Sequence, residues 1–116
     1  MFILLKSEIK VIDKEIFDLI KRVYDTNKDK IDSNHILSGL TEELGEYSRA
    51  VRVEDNDPIC YNKSIKESSQ VEIIDLIIDA IEAYISRGGR YEDMKEIALN
   101  KLKKWENLWI DSERFY

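Results

Sequence analysis

The sequence predicts an all-α fold, a four-helix bundle, on three observations. Composition comes first: 43% hydrophobic and 36% charged residues, with four glycines and one proline in 116 positions, suits helices with solvated outer faces and not a turn-rich β protein. Apolar residues then recur at steps of three and four in four separate runs. Finally, polar or glycine-bearing connectors divide those runs, the pattern of antiparallel helices joined by loops. A chain of this length holds one ordinary domain with a real core, so residues 1–116 read as a single domain.

The first helix is expected from Ser7, a possible N-cap, with Ile9, Ile12, Ile16, Leu19, Ile20 and Val23 on its apolar face. It ends in the polar run Thr26–Asn34, whose Asp32 or Ser33 can cap the second helix, about His35 to Val53. That helix carries the stripe Ile36, Leu37, Leu40, Leu44, Tyr47 and Val51. Glu54–Ser64 contains the only proline, breaks the periodicity and reads as a mobile loop. The third helix begins near Glu67 and stops at Arg87-Gly88-Gly89-Arg90, where glycine can supply a left-handed cap. The fourth runs from about Tyr91 to Trp109, with Met94, Ile97, Ala98, Leu102, Trp105, Leu108 and Trp109 inward and DSERFY as a frayed tail or interface arm.

Net charge narrows the function classes. With 24 acids against 18 basic residues, a formal charge of -6, the chain lacks the positive field that a nucleic-acid polymer or an anionic membrane requires. Cys60 is the sole cysteine, so no intrachain disulfide forms and a reducing, cytoplasmic setting is expected. The opening MFILLK is too short for a signal-peptide core, and no run approaches a membrane span. His35 stands at a helix start, the place of a cap or surface residue. As the only histidine it also leaves no pair for the di-iron type of bundle.

The anomaly is VEIIDLIIDAIEAYI, Val71–Ile85, apolar almost all round and therefore expected to be covered by the other helices or by a second subunit. Yet Glu72, Asp75 and Asp79 share a sector of roughly 60° on it. Glu43 and Glu46, one turn apart on the second helix, border its apolar stripe. Four carboxylates gathered between packed helices need a counter-charge, and an all-oxygen donor set selects a hard divalent ion, Mg2+ first and Mn2+ second. The plainer readings are a solvated face for Glu43 and Glu46, and ion pairs to inward basic residues for Glu72 and Asp75. Glu82 and Ser86 prolong the line toward solvent. Lys101 falls in the middle of the fourth helix's stripe, flanked by Asn100 and Lys104, where it either snorkels, meets an acid or holds a phosphate.

Taken together, Glu42-Glu43-Leu44-Gly45-Glu46, the 25 residues 47–71, and Glu72-Ile73-Ile74-Asp75 resemble the EExxE and ExxD signature of the MazG-like all-α nucleoside triphosphate pyrophosphohydrolases. The resemblance spans about residues 30–107. It implies Mg2+ on Glu43, Glu46, Glu72 and Asp75, hydrolysis of a nucleoside triphosphate to monophosphate and pyrophosphate, and assembly as a homodimer or homotetramer. The family's arginine one turn after the lysine of the last helix is replaced here by Leu108, so phosphate contacts would fall to Asn100, Lys101 and Lys104 or to Arg87, Arg90 or Arg114. Glu46, Glu42 or Asp79 would accept the proton of the attacking water. The competing expectation is a non-enzymatic helical adaptor or regulatory module whose inward acids pair with Lys101 and Lys104 in an oligomer core.

Overall fold

The computed structural model describes residues 9–56 and 67–112, without the side chains of 109–112. Among the described residues there are four helices and no strand: α1 (Lys14–Asn27), α2 (Ser33–Glu54), α3 (Ser69–Ser86) and α4 (Tyr91–Ser112). Ser7, Cys60, most of the 54–64 loop, the Trp109 side chain and the tail with Arg114 lie outside them. No described helix is long and apolar enough to cross a membrane.

α1 begins later than its periodicity predicts, because the backbone before it bonds elsewhere. The Tyr91 hydroxyl donates to the Ile12 carbonyl at 3.1 Å, and the Phe17 N–H reaches the Asp13 carbonyl at 3.1 Å as the helix opens. Ile9 and Ile12 are thus outside the helix. The buried face of α1 is Phe17 and Ile20, 4% and 8% exposed, whereas Ile16, Leu19 and Val23 from the predicted stripe are about half exposed.

α2 starts where the sequence expects. The Asp32 carboxylate accepts from the His35 N–H at 3.0 Å while His35 Nδ1 accepts from the Asp32 N–H at 3.2 Å, a reciprocal capping box. His35 is therefore a cap, and its two bonds hold the Asp32 carboxyl below the usual range. α3 is capped by Ser68, whose Oγ accepts from the Val71 N–H at 3.4 Å. Glu54, the last residue of α2, adds a clasp: its carboxylate accepts from the Ser69 N–H at 2.7 Å and from Ser69 Oγ at 2.6 Å, bonds that lower its pKa. α3 terminates at Gly88, whose φ of 83° is the left-handed conformation expected of that glycine.

The described residues fall into two compact units, 9–17 with 89–112 and 18–88. In the first, the Phe17 and Tyr91 rings pack with centroids 5.4 Å apart and Lys14 Nζ sits 5.5 Å from the Tyr91 centroid. Along α4, Ile97, Leu102, Trp105 and Leu108 are exposed. In the second unit α2 packs against α3. Glu54 meets Ser69, Glu46 meets Glu72 and Gly39 meets Asp79, so the partners run in opposite order and the two helices are antiparallel.

Because Gly88 holds a positive φ that a Cβ disfavours, Gly88→Ala is expected to destabilise the protein by about 1 kcal/mol. Urea unfolding checks this, with an unchanged m-value marking an effect on the native turn alone.

Candidate metal centre

α2 does not present its leucines to α3. The residues it turns inward are Gly39, Glu43, Glu46 and Ala50, all within a sector of roughly 60° at the helical spacing, and all buried or half-buried except the open space beside no side chain at Gly39. Ala50 is 1% exposed, whereas Leu37 and Leu44 of the predicted inward stripe are 60% and 54% exposed. The helix is thus rotated by roughly 100° from the orientation its apolar stripe alone suggests. Gly39 explains part of the fit: a Cβ there would stand 3.5 Å from Asp79 Oδ2 on α3.

The opposing face of α3 carries Glu72, Asp75, Asp79 and Glu82. Glu72 is 2% exposed, although it is a glutamate in the first turn of its helix. Glu82 and Ser86, expected near solvent, are half-buried and continue the covered line. The C-terminal half of the helix buries Ile81 and Ile85 on its other side, while Val71, Ile74, Ile77 and Ile78 remain exposed.

Three of the sequence-predicted ligands converge. Glu43, Glu46 and Glu72 each bring one carboxylate oxygen to within 4.8 Å of the others. Oxygens bound to one Mg2+ at 2.0–2.1 Å lie no more than about 4.2 Å apart, so the triangle must contract by a few tenths of an ångström around that ion. Rotation of glutamate side chains supplies such a movement. Asp75 is outside the triad but close enough to raise the pKa of both Glu43 and Glu72.

Every resolved shift in the group is upward. Glu43 is pushed to about 6 by burial first, then by the charges of Glu46, Asp79, Asp75 and Glu72. Glu72 is raised by burial, by the charge of Glu46 and by a carboxyl–carboxyl hydrogen bond to it, then by Glu67 and Asp75. Burial, Asp75 and Glu42 raise Asp79, and burial and Asp79 raise Glu82. Two oxygens are left over: Glu43 Oε2 and Glu72 Oε2 are buried and have no hydrogen-bond partner. A buried carboxylate oxygen without a partner is costly, and a cation satisfies it. Oxygen-only donors, crowded acids and two orphaned lone-pair sites therefore fit a hard divalent ion.

The other predicted residues lie apart from the triad. Glu42 is exposed on α2, and Asn100, Lys101 and Lys104 are exposed on α4 in the first unit, so Lys101 is not a covered member of an inward stripe. Sequence reasoning passed over Gly39, whose signal is its place one turn before Glu43 on the same face, and Glu54, whose signal is an acid at the end of a helix that a serine pair follows. Comparison with known protein families, characterised proteins and solved structures finds no match to this chain.

The raised pKa of Glu43 carries a pH dependence with a definite sign. The folded state holds its proton more tightly than the unfolded chain, so the contribution to stability is complete below about 4.5 and is lost as pH rises through about 6. Metal-free protein is expected to melt progressively lower than the Glu43→Gln variant as pH increases across that window. Paired thermal melts of the two proteins in chelator, from acidic to neutral pH, check it; parallel curves would contradict the placement of Glu43 among like charges.

Proposed function

We propose that this chain is a Mg2+-dependent nucleoside triphosphate pyrophosphohydrolase of the MazG-like all-α type, acting on cytoplasmic nucleotides as a homodimer or homotetramer. The observation that carries the reading is the pair of buried, unpartnered oxygens, Glu43 Oε2 and Glu72 Oε2, on two helices that face each other through acids. It favours a cation from solution over internal lysines as the compensating charge. Among the acids drawn together, Glu43, Glu46 and Glu72 are the set that would hold the ion, with Asp75 beside them.

Bound Mg2+, or Mn2+ in its place, would supply positive charge against the triphosphate and make water a better nucleophile. The chain's own part is to hold the four acids on two antiparallel helices, so that the ion meets a prearranged set of oxygens. In the reaction a water oxygen bonds to phosphorus, the bond between that phosphorus and the oxygen bridging α and β breaks, and pyrophosphate separates from the monophosphate. The water's proton passes to a carboxylate. Glu46, Glu42 and Asp79 are the candidates, and Asp79, raised by burial and by Asp75 and Glu42, holds a proton more readily than an ordinary aspartate. Lys101, Lys104 and Asn100 are the candidate phosphate contacts.

Oligomerisation follows from what is left uncovered. The buried hydrophobic residues are Phe17, Ile20, Ala50, Ile81 and Ile85, while Ile16, Leu19, Leu37, Leu44, Ile74 and Ile77 are exposed. Isolated apolar side chains on a surface are ordinary, but helical faces lined with them mark association.

Phosphorus NMR of wild type with each common nucleoside triphosphate and Mg2+ is expected to show pyrophosphate and a monophosphate. Glu72→Gln should reduce the rate by about a hundredfold or more, and no turnover of any nucleotide by wild type would sink the enzymatic reading. Separately, thermal melting with Mg2+ or Mn2+ should raise the midpoint of wild type and raise that of Asp75→Asn less. Sedimentation equilibrium is expected to give a dimer or tetramer mass.

A further inference from the structure

We propose that the cavity between the first two turns of α2 and the last turn of α3 receives the nucleoside of the substrate, and that Asp79 accepts a hydrogen bond from its sugar. The assignment rests on the metal-dependent nucleotide reading above and adds to it the part of the substrate that the carboxylates do not touch.

The cavity measures about 220 Å³ and is walled by Ile36, Leu37, Leu40 and Ala83, with Ser86 and Arg87 at its α3 end. It is smaller than the roughly 300 to 1,000 Å³ of pockets that enclose a whole drug-sized ligand. A single heterocyclic ring suits that size, with the rest of the molecule lying outside. Flat apolar walls with a few polar groups at one end are the surroundings that recognise such a ring. Ser86 Oγ donates to the Ala83 carbonyl at 2.7 Å, which leaves its lone pairs available to an amino group of the ring, and Arg87 offers donors to a ring carbonyl.

Its position along the helices is the second observation. Cavity and carboxylates share the α2–α3 groove, all of it within residues 18–88. From Leu37 to the midpoint of Glu43 and Glu46 is on the order of 11 Å along α2 at 1.5 Å per residue, comparable to the span from base to β-phosphate in an extended nucleotide. Asp79 stands between the two, where Gly39 leaves room: its Oδ2 is 3.5 Å from the place of a Gly39 Cβ. A sugar running along the groove passes that carboxylate, and its hydroxyl can donate to it. Proton acceptance in the reaction then falls to Glu42 or Glu46.

The test compares Mg2+–tripolyphosphate with the Mg2+ complexes of α,β-methylene nucleoside triphosphates by calorimetry. In wild type at least one nucleotide should bind about tenfold tighter than tripolyphosphate. Ala83→Leu, which fills the cavity, should erase that advantage while leaving the affinity for tripolyphosphate unchanged. An advantage that survives in folded Ala83→Leu overturns the assignment while the metal reading stands. A change in sedimenting mass with no change in nucleotide affinity also overturns it, in favour of a contact between copies. If neither ligand binds wild type, the metal–nucleotide reading fails and the assignment falls with it. A measurement independent of any variant is the titration of wild type with free nucleosides: amide shifts at Leu37, Leu40 and Ala83 support the assignment, and their absence for all nucleosides overturns it.

Discussion

The packing of α2 on α3 sets the terms for everything else in this protein, because the two helices meet through their acids. Glu43 and Glu46 face Glu72, and each resolved pKa shift in the group is upward. Close packing of like charges in a covered place opposes folding unless protons or cations intervene. Protons intervene only partly at neutral pH. The fold thus contains a requirement for positive charge at one defined place, and that requirement is the physical content of the proposed metal centre.

The same choice of faces dictates the outside of the molecule. With its small and acidic side turned to α3, α2 leaves Leu37 and Leu44 exposed, and α3 leaves Val71, Ile74, Ile77 and Ile78 exposed. Had the leucine stripe packed inward, the helices would bury more apolar surface and the acids would reach water. The observed rotation gives up that burial, a loss of roughly 25 cal/mol for each Å² left wet. A fold that does this needs compensation twice, by a cation within the groove and by apolar contact over the leucines and isoleucines. Function and association are in this sense two consequences of one orientation.

Much of the fold was legible in the sequence because it depends on local chemistry. The four helices, the Asp32 cap and the left-handed Gly88 all follow from residues within a few positions of one another. The convergence of Glu43, Glu46 and Glu72 was legible too, through spacing and through the oddity of acids in an apolar helix. The late start of α1 was not, since it turns on a hydrogen bond from Tyr91, a residue far along the chain. Nor was the rotation of α2. Counting apolar positions finds the face with the greatest gain from burial, and it errs where a ligand or a second subunit changes which face gains most. Glu82 and Ser86 illustrate the same error at the end of α3, where the line of acids stays covered beyond the point at which solvent was expected.

A cluster that repels itself would be expected to spread apart, and the structure contains the restraints against it. The Glu54 clasp on Ser69 holds the two helices together at one end of their contact, on the side of Glu72. Beyond the carboxylates, Gly39 lets Asp79 come close where a larger residue would push α3 away. Between these two points the acids can move through side-chain torsions but the helix axes are constrained. The ordering of four ligands is thereby met by the fold, in advance of binding, and less of the ion's binding free energy is consumed in assembling the site. The opposite arrangement, in which the ion itself draws the helices together, couples metal binding to folding as in small zinc domains. Restraints at both ends of the acidic stretch place this protein nearer the first case. Removing the metal should then loosen the groove without unfolding the helices, because their caps, their clasp and the buried Ile81 and Ile85 do not depend on it.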